Sequence, residues 1–249
     1  MNAMNALSEL RSAVSFLTPI GRSGAHPSPM TMAYFPLVGA ALGTLVGLTW
    51  RVASRSFPPV LSAALAVGAD SVLTGALHLD GLADTADGML AHVPSRSRLE
   101  IMSEPQVGSF AAVAVSLATV TRVAALSALE PSPALLSAIY CSSRSLMVIA
   151  SRSLPYARQE GIATAFLADG RTDQALLAAL AGAGAALGLA TVVAGRRGAA
   201  AVLTGWGAAA LVLESARRRI GGFTGDVLGA AGVVCETSGL VIAAGANNG

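Results

Sequence analysis

Ala175 to Gly195 reads ALLAALAGAGAALGLATVVAG, an unbroken apolar run without a single charged side chain. A helix crossing the hydrocarbon core of a bilayer needs about 20 such residues, so this stretch decides the fold class in favour of a membrane protein. Arg196 and Arg197 end the run, and a shorter apolar stretch, Ala199 to Leu213, follows it. Further out, Val227 to Ala246 reads as a span on one side. On the other lie Pro133 to Ala150 with Arg144 inside, Val107 to Leu129 with Arg122 inside, Phe57 to Leu79 interrupted by Asp70, and Tyr34 to Trp50. The pattern predicts an all-α, polytopic integral membrane helix bundle with about six to seven transmembrane helices. It forms a single domain over residues 1–249.

Composition agrees. The chain has 249 residues, of which 53% are hydrophobic and only 12% charged, with a mean hydropathy of +0.63. Soluble domains are about 25% charged, so the scarcity argues against a disordered chain and most soluble enzymes. All sixteen basic residues are arginines, and they are scattered, which excludes a nucleic-acid binder. Cys141 and Cys235 lie in apolar stretches without metal or redox spacing and read as small buried hydrophobes.

Glu9 and Arg11 break any signal-peptide core at the N-terminus. Leu7, Leu10, Val14 and Leu17 recur instead at helical spacing, so residues 1–25 form either an interfacial amphipathic segment or a packed cap on the bundle. Ten arginines fall on one side of a seven-span chain: Arg11, Arg22, Arg96, Arg98, Arg152, Arg158, Arg171, Arg217, Arg218 and Arg219. Only Arg51, Arg55, Arg196 and Arg197 fall on the other. The positive-inside rule places the N-terminus and the richer loops in the cytoplasm.

Six of the fourteen carboxylates lie between Asp70 and Glu104. The densest part, HLDGLADTADG (His78 to Gly88), carries Asp80, Asp84 and Asp87 within about 60° of one helical face. Asp80 and Asp84, about 6 Å apart along such a helix, repel by roughly 3 kcal/mol at an effective dielectric near 20. Oxygen donors without cysteine favour Mg²⁺ or Mn²⁺ over zinc, and Mg²⁺ is commonly completed by substrate phosphate. The alternative is a solvated interfacial turn in which Asp-Gly steps end a helix.

GGFTGDVLGA (Gly221 to Ala230) is the second polar site. Gly221, Gly222 and Gly225 let backbone N–H groups approach a phosphate, Thr224 can donate a hydrogen bond, and Asp226 can cap the last helix or bind metal. MSEPQVGSF (Met102 to Phe110) offers Glu104 as a metal ligand or a helix N-terminal acid. SRSLPYAR (Ser151 to Arg158) offers guanidinium groups suited to phosphate. Arg122 and Arg144, inside spans, require partners or a task in the bundle interior. His78 is a general base, a partner of an Asp, or an interfacial side chain.

HLDGLADTADG followed by GGFTGDVLGA resembles the cobalamin synthase family, adenosylcobinamide-GDP ribazoletransferase. FLTPIGR (Phe16 to Arg22), YFPLVGAALG (Tyr34 to Gly43), IMSEPQVGSF and SRSLPYAR extend the likeness in order over nearly the whole chain. The resemblance implies a Mg²⁺-dependent multi-pass enzyme of the bacterial cytoplasmic membrane, with its active site facing the cytoplasm. It would join α-ribazole or its 5′-phosphate to adenosylcobinamide-GDP, releasing GMP. By that resemblance Asp80, Asp84, Asp87 and Asp226 are catalytic. Asp80, Asp84, Asp87 and Glu104 are the metal set, and His78, Gly221, Gly222, Thr224, Gly225 and Arg152 contact substrate. The chain departs from the family's pattern at Ser103, Glu104 and Gln106, and at Val233, where an acid is usual and Glu236 follows one turn later.

Two other readings compete. A CDP-alcohol phosphatidyltransferase would carry D-G-x-x-A-R, whereas here Asp80-Gly81 is followed by Ala83-Asp84 and no Arg. An ion-coupled transporter would place its acids near the midplane on related repeats. The sequence leaves open homo-oligomers and association with other cobamide pathway enzymes.

Overall fold

Leu10, Val14 and Leu17 line the inner face of the first helix, α1 (Ala3–Leu17), and pack on the main hydrophobic core. Glu9 on the same helix accepts hydrogen bonds from Ser28 at 2.8 Å and Thr31 at 2.6 Å. This half of α1 therefore caps the bundle, while Met4 and Leu7 stay exposed. The computed structural model describes residues 3–21, 28–158 and 173–245; Arg22, Arg171 and the end of the last apolar stretch at Ala246 lie outside them.

A single 3-10 turn (Thr31–Tyr34) leads into α2 (Phe35–Ala53), and Pro59 opens α3 (Pro59–Thr74). Here the structure departs from the straight span expected over Phe57 to Leu79. Gly75 (φ 60°) and Ala76 (φ 56°) both adopt the left-handed conformation, and α4 (Leu77–Leu90) leaves at 91° to α3. Gly75 suits that conformation, and a methyl group there would come within 2.8 Å of Pro19. Ala76 accepts a conformation that costs an L-residue roughly 1–2 kcal/mol. The bend turns the acidic motif across the bundle instead of along it.

The remaining helices are α5 (Ser95–Ile101), α6 (Ser109–Ser127), α7 (Pro133–Ser153), α8 (Asp173–Ile220) and α9 (Gly225–Ala244). Spanning 48 residues, α8 would be about 72 Å long if straight, more than twice the ~30 Å hydrocarbon core. It breaks at Ala194 and at Gly195, whose φ is 59°. A methyl group on Gly198 would overlap the Ala190 carbonyl, so the two limbs fold back on each other. These limbs correspond to the two spans expected on either side of Arg196.

Among the described residues, five helices are long and apolar enough to cross a membrane, or six if α3 and α4 make one bent crossing. Counting the limbs of α8 separately adds one. The protein is an all-α, polytopic membrane bundle.

Its centre is α7, which packs against α2 through a glycine row. Methyl groups on Gly39, Gly43 or Gly47 would strike the backbone of Tyr140, Leu136 or Pro133 respectively. Small residues every fourth position let two membrane helices approach this closely. Ser137 adds a hydrogen bond to the Ala40 carbonyl at 3.0 Å. Val72, Val120, Val192 and Leu211 are left exposed on the outside, an apolar surface suited to lipid.

Candidate active site

Helix α4 is anchored at both its end and its middle. Its last carbonyls are met by guanidinium groups: Arg98 donates to Gly88 at 2.9 Å, Met89 at 2.8 Å and Ala91 at 3.0 Å, and Arg219 also reaches Met89. Cations at a helix C-terminus offset its unpaired carbonyls and dipole. In the middle, a methyl group on Gly81 would come within 2.8 Å of the Asp226 carbonyl, and one on Gly229 within 3.4 Å of His78. The two glycines bring the first acidic motif against the start of α9.

The GGFTGD segment is held by the segment after α7. Phe223 donates to the Pro155 carbonyl at 2.9 Å and accepts from Ala157 at 2.9 Å, the parallel bridge Tyr156–Phe223. Gly221 takes φ +80° at the turn, and a methyl group on Gly222 would overlap the Pro155 carbonyl. Both glycines therefore have a local structural task. Thr224 caps α9, accepting the Val227 N–H at 3.2 Å while donating to Asp226 Oδ2 at 3.3 Å. Gly225 has open space around its Cα.

Asp226 also pairs with Arg158 at 3.1 Å, and Arg158 donates to the Met102 carbonyl at 3.3 Å. The charges acting on Asp84 are those of Asp80, Asp226, Asp87 and Arg158. Four carboxylates and one guanidinium thus form one electrostatic neighbourhood. Asp87 has both oxygens engaged, one accepting the Gly108 N–H at 2.6 Å and the other the Ala111 N–H at 2.9 Å. It caps α6 from another helix, a role that sequence spacing did not indicate.

Beside the acids lies a cavity of about 150 Å³. His78, Asp80, Asp226 and Gly225 line one part, and Phe16, Phe35, Met147 and Phe223 line another. Asp80 and Asp226, from motifs far apart in the chain, face the same space.

Below this cavity is a buried ionic layer. Arg122 of α6 pairs with Asp70 of α3 at 3.0 Å and with Glu236 of α9 at 3.2 Å, and donates to Tyr140 Oη at 2.5 Å. Arg144 of α7 pairs with the other Glu236 oxygen, which also accepts from Ser143 at 2.8 Å. The Tyr140 ring lies between the two guanidinium groups, 5.9 Å from Arg122 Cζ and 5.2 Å from Arg144 Cζ. Each intramembrane charge has an opposite partner, as the cost of burying it demands. Glu236, one turn after Val233, is the acid of this layer, while Val233 is buried in an apolar cluster.

The remaining expected site residues fall elsewhere. Arg152 is turned away, donating to the Pro29 carbonyl at 3.3 Å; Arg158, from the same segment, takes the place beside the acids. Glu104 is exposed in the turn after α5 and does not line the cavity. Ser103 and Gln106 are exposed with it. His78 is buried, with Nδ1 3.4 Å from Arg144 Nη2, and so is not a plain interfacial side chain. Among the described residues, no three His, Cys, Asp or Glu side chains converge as a complete metal cage.

The sequence from residue 9 to 244 matches the family model described as cobalamin-5-phosphate synthase. The chain belongs to the cobalamin-5-phosphate synthase family. Cobalamin-5-phosphate synthase relatives include the adenosylcobinamide-GDP ribazoletransferase of Syntrophobacter fumaroxidans, 37% identical over 92% of this chain and 95% of the relative. The enzyme of the same name from Azorhizobium caulinodans is 38% identical over 87% of this chain and 85% of its own length. That from Escherichia coli strain Crooks is 34% identical over 79% and 80%. No solved structure matches the chain. Membership of the cobalamin-5-phosphate synthase family makes it a membrane transferase of cobalamin biosynthesis.

Proposed function

We propose that the chain joins α-ribazole, or its 5′-phosphate, to adenosylcobinamide-GDP, releasing GMP and forming adenosylcobalamin or its 5′-phosphate. One observation carries this reading: Asp80 and Asp226, from the two motifs that define the resemblance, line one cavity. The relatives bearing the transferase name cover most of the chain.

In the proposed reaction, a secondary ribose hydroxyl of the ribazole, free in both the nucleoside and its 5′-phosphate, attacks the cobinamide-linked phosphorus. A new P–O bond forms as the bond to the GMP phosphate oxygen breaks, and the hydroxyl proton is released. Asp80 or Asp84 would accept that proton or hold the nucleophile, and no protein nucleophile is required. Arg158 faces the diphosphate from the Asp226 side, and Gly225 leaves its backbone open to it.

The donor set fits a hard divalent cation. Asp80, Asp84 and Asp226 offer only oxygen, and their mutual repulsion is offset by one guanidinium. Mg²⁺ characteristically takes one or two carboxylates and leaves its other positions to water and substrate phosphate. Such a site is completed by water and substrate phosphate. Held there by one or two of Asp80, Asp84 and Asp226, Mg²⁺ would neutralise charge on the transferring phosphoryl group. We further propose that this face looks into the cytoplasm of a bacterial cell. Arg98, Arg158 and Arg219, three arginines on the side rich in positive charge, all lie around α4 and the start of α9.

The test is direct. Purified protein in liposomes with Mg²⁺, adenosylcobinamide-GDP and α-ribazole should release GMP and form a cobamide. Absence of turnover from folded protein, or full activity in Asp84→Ala, would overturn the reading.

A further inference from the structure

The acids take up one part of the cavity, and the other part has walls of a different chemistry. Phe16 of α1, Met32 of the 3-10 turn, Phe35 of α2, Met147 of α7 and Phe223 line it. Phe16 and Phe35 are stacked, with ring centroids 5.6 Å apart and planes 18° from parallel. Phe35, Phe223 and both methionines are buried, so the core holds them in place. Glu9 ties α1 to the 3-10 turn through Thr31 at 2.6 Å, which keeps Phe16 and Met32 on the same cavity.

Rings and thioethers together suit a flat aromatic ligand, through stacking, edge-to-face and sulfur–aromatic contacts. A cavity of about 150 Å³ is of the size that admits an aromatic ring. Hydrogen-bonding edges find little in these walls. Ser151 also lines the cavity, but its hydroxyl donates to the Val148 carbonyl at 2.7 Å. Guanine, and the adenine of an adenosyl group, each present several donors and acceptors, and burying them unpaired is costly. A corrin macrocycle is far too large for the space. The base of α-ribazole, a dimethylated benzimidazole, has no N–H once joined to ribose and needs at most one hydrogen bond. We propose that Phe16, Met32, Phe35, Met147 and Phe223 form the subsite for the base of α-ribazole, with its ribose turned toward Asp80 and Asp226.

The proposal rests on the reading that this cavity joins α-ribazole to adenosylcobinamide-GDP, and it divides the work between the two parts. The rings grip the base, and that grip orients the attacking ribose hydroxyl; the acids meet the phosphorus it attacks. It also gives α1 a share in the site, because the helix that caps the bundle supplies Phe16 to the wall.

Two measurements test it. Equilibrium dialysis of α-ribazole and, separately, of GMP against purified protein in detergent reads binding without the second substrate. Phe16→Ala should weaken α-ribazole binding by about 5- to 150-fold, the range for loss of one base–aromatic contact, and leave GMP binding unchanged. Phe35→Leu, which keeps apolar bulk but loses the ring, should weaken it by about 2- to 10-fold. In the assay both variants should raise KM for α-ribazole in parallel, with KM for adenosylcobinamide-GDP within about twofold of native. Native protein that does not bind α-ribazole, variants that bind it as native does, or variants that lose GMP instead, would overturn the proposal. If native protein binds α-ribazole and the variants do not, yet no cobamide forms, the functional reading fails and the subsite stands. If cobamide forms with native KM for α-ribazole in both variants, the subsite fails and the function stands.

Discussion

Asp87 accepts the Gly108 N–H at 2.6 Å, and so ties the acidic helix to the first turn of α6. Its other oxygen takes the Ala111 N–H. Asp84, one turn earlier on the same helix, makes no such bond among the described residues. Substitution should separate the two roles. Asp87→Ala should lower stability by about 1–2 kcal/mol, the loss of a helix cap, together with activity. Asp84→Asn should leave the melting temperature in detergent unchanged and reduce kcat by about 100-fold or more, as for a lost electrostatic contact to the transition state.

Glu236 serves two guanidinium groups at once. Removing it strands Arg144 and leaves Arg122 to Asp70 alone, and breaking a buried pair from one side costs about 3–5 kcal/mol. Glu236→Ala should therefore collapse the yield of folded protein. Val233→Ala, one turn away in an apolar cluster, should cost about 1 kcal/mol. Size-exclusion profiles in detergent distinguish these outcomes.

Gly43 and Gly184 test the packing of the bundle. A side chain on Gly43 meets the Leu136 backbone, whereas one on Gly184 meets nothing within 4 Å. Gly43→Val should cost of order 1–3 kcal/mol or more through overpacking, and Gly184→Ala should be neutral within about 0.5 kcal/mol. Thermal unfolding followed by aggregation reads both.

Arg158 and Arg152 are six residues apart but contact different parts of the protein. Arg158→Gln removes the guanidinium beside Asp226 and should lower kcat/KM by about 10- to 100-fold, the scale of a charge-assisted hydrogen bond. Arg152→Gln breaks a hydrogen bond to the Pro29 carbonyl and should change kcat/KM by less than about threefold. The same GMP-release assay compares them.

Chelation should abolish turnover, with Mg²⁺ or Mn²⁺ restoring it and Ca²⁺ doing so poorly. Ca²⁺ prefers six to eight oxygens at longer distances, which a site completed by waters and phosphate does not enforce. Full activity in excess chelator would remove the cation from the mechanism.

Much of this architecture was legible in the sequence because its signals are local. Apolar runs gave the spans, and the charges at Asp70, Arg122 and Arg144 announced that partners existed inside them. The spacing of Asp80, Asp84 and Asp87 gave one helical face. What was missed depends on contacts remote in the chain. Asp87 became a cap only because α6 begins beside it, 21 residues on. Arg158 displaced Arg152 because the Tyr156–Phe223 bridge sets which guanidinium reaches Asp226. The bend at Ala76 carries no turn signature, since alanine ordinarily continues a helix. Its local cue is Gly75 just before it, which ends α3 in the left-handed conformation close to Pro19.

The buried layer of Asp70, Arg122, Arg144 and Glu236 contains two carboxylates and two guanidinium groups, so its charges balance. A membrane potential acts on displaced net charge, at about 2.3 kcal/mol per elementary charge for every 100 mV. The layer as a unit therefore offers voltage no handle. It can shift with its helices during a catalytic cycle without drawing on, or being driven by, the electric field across the membrane.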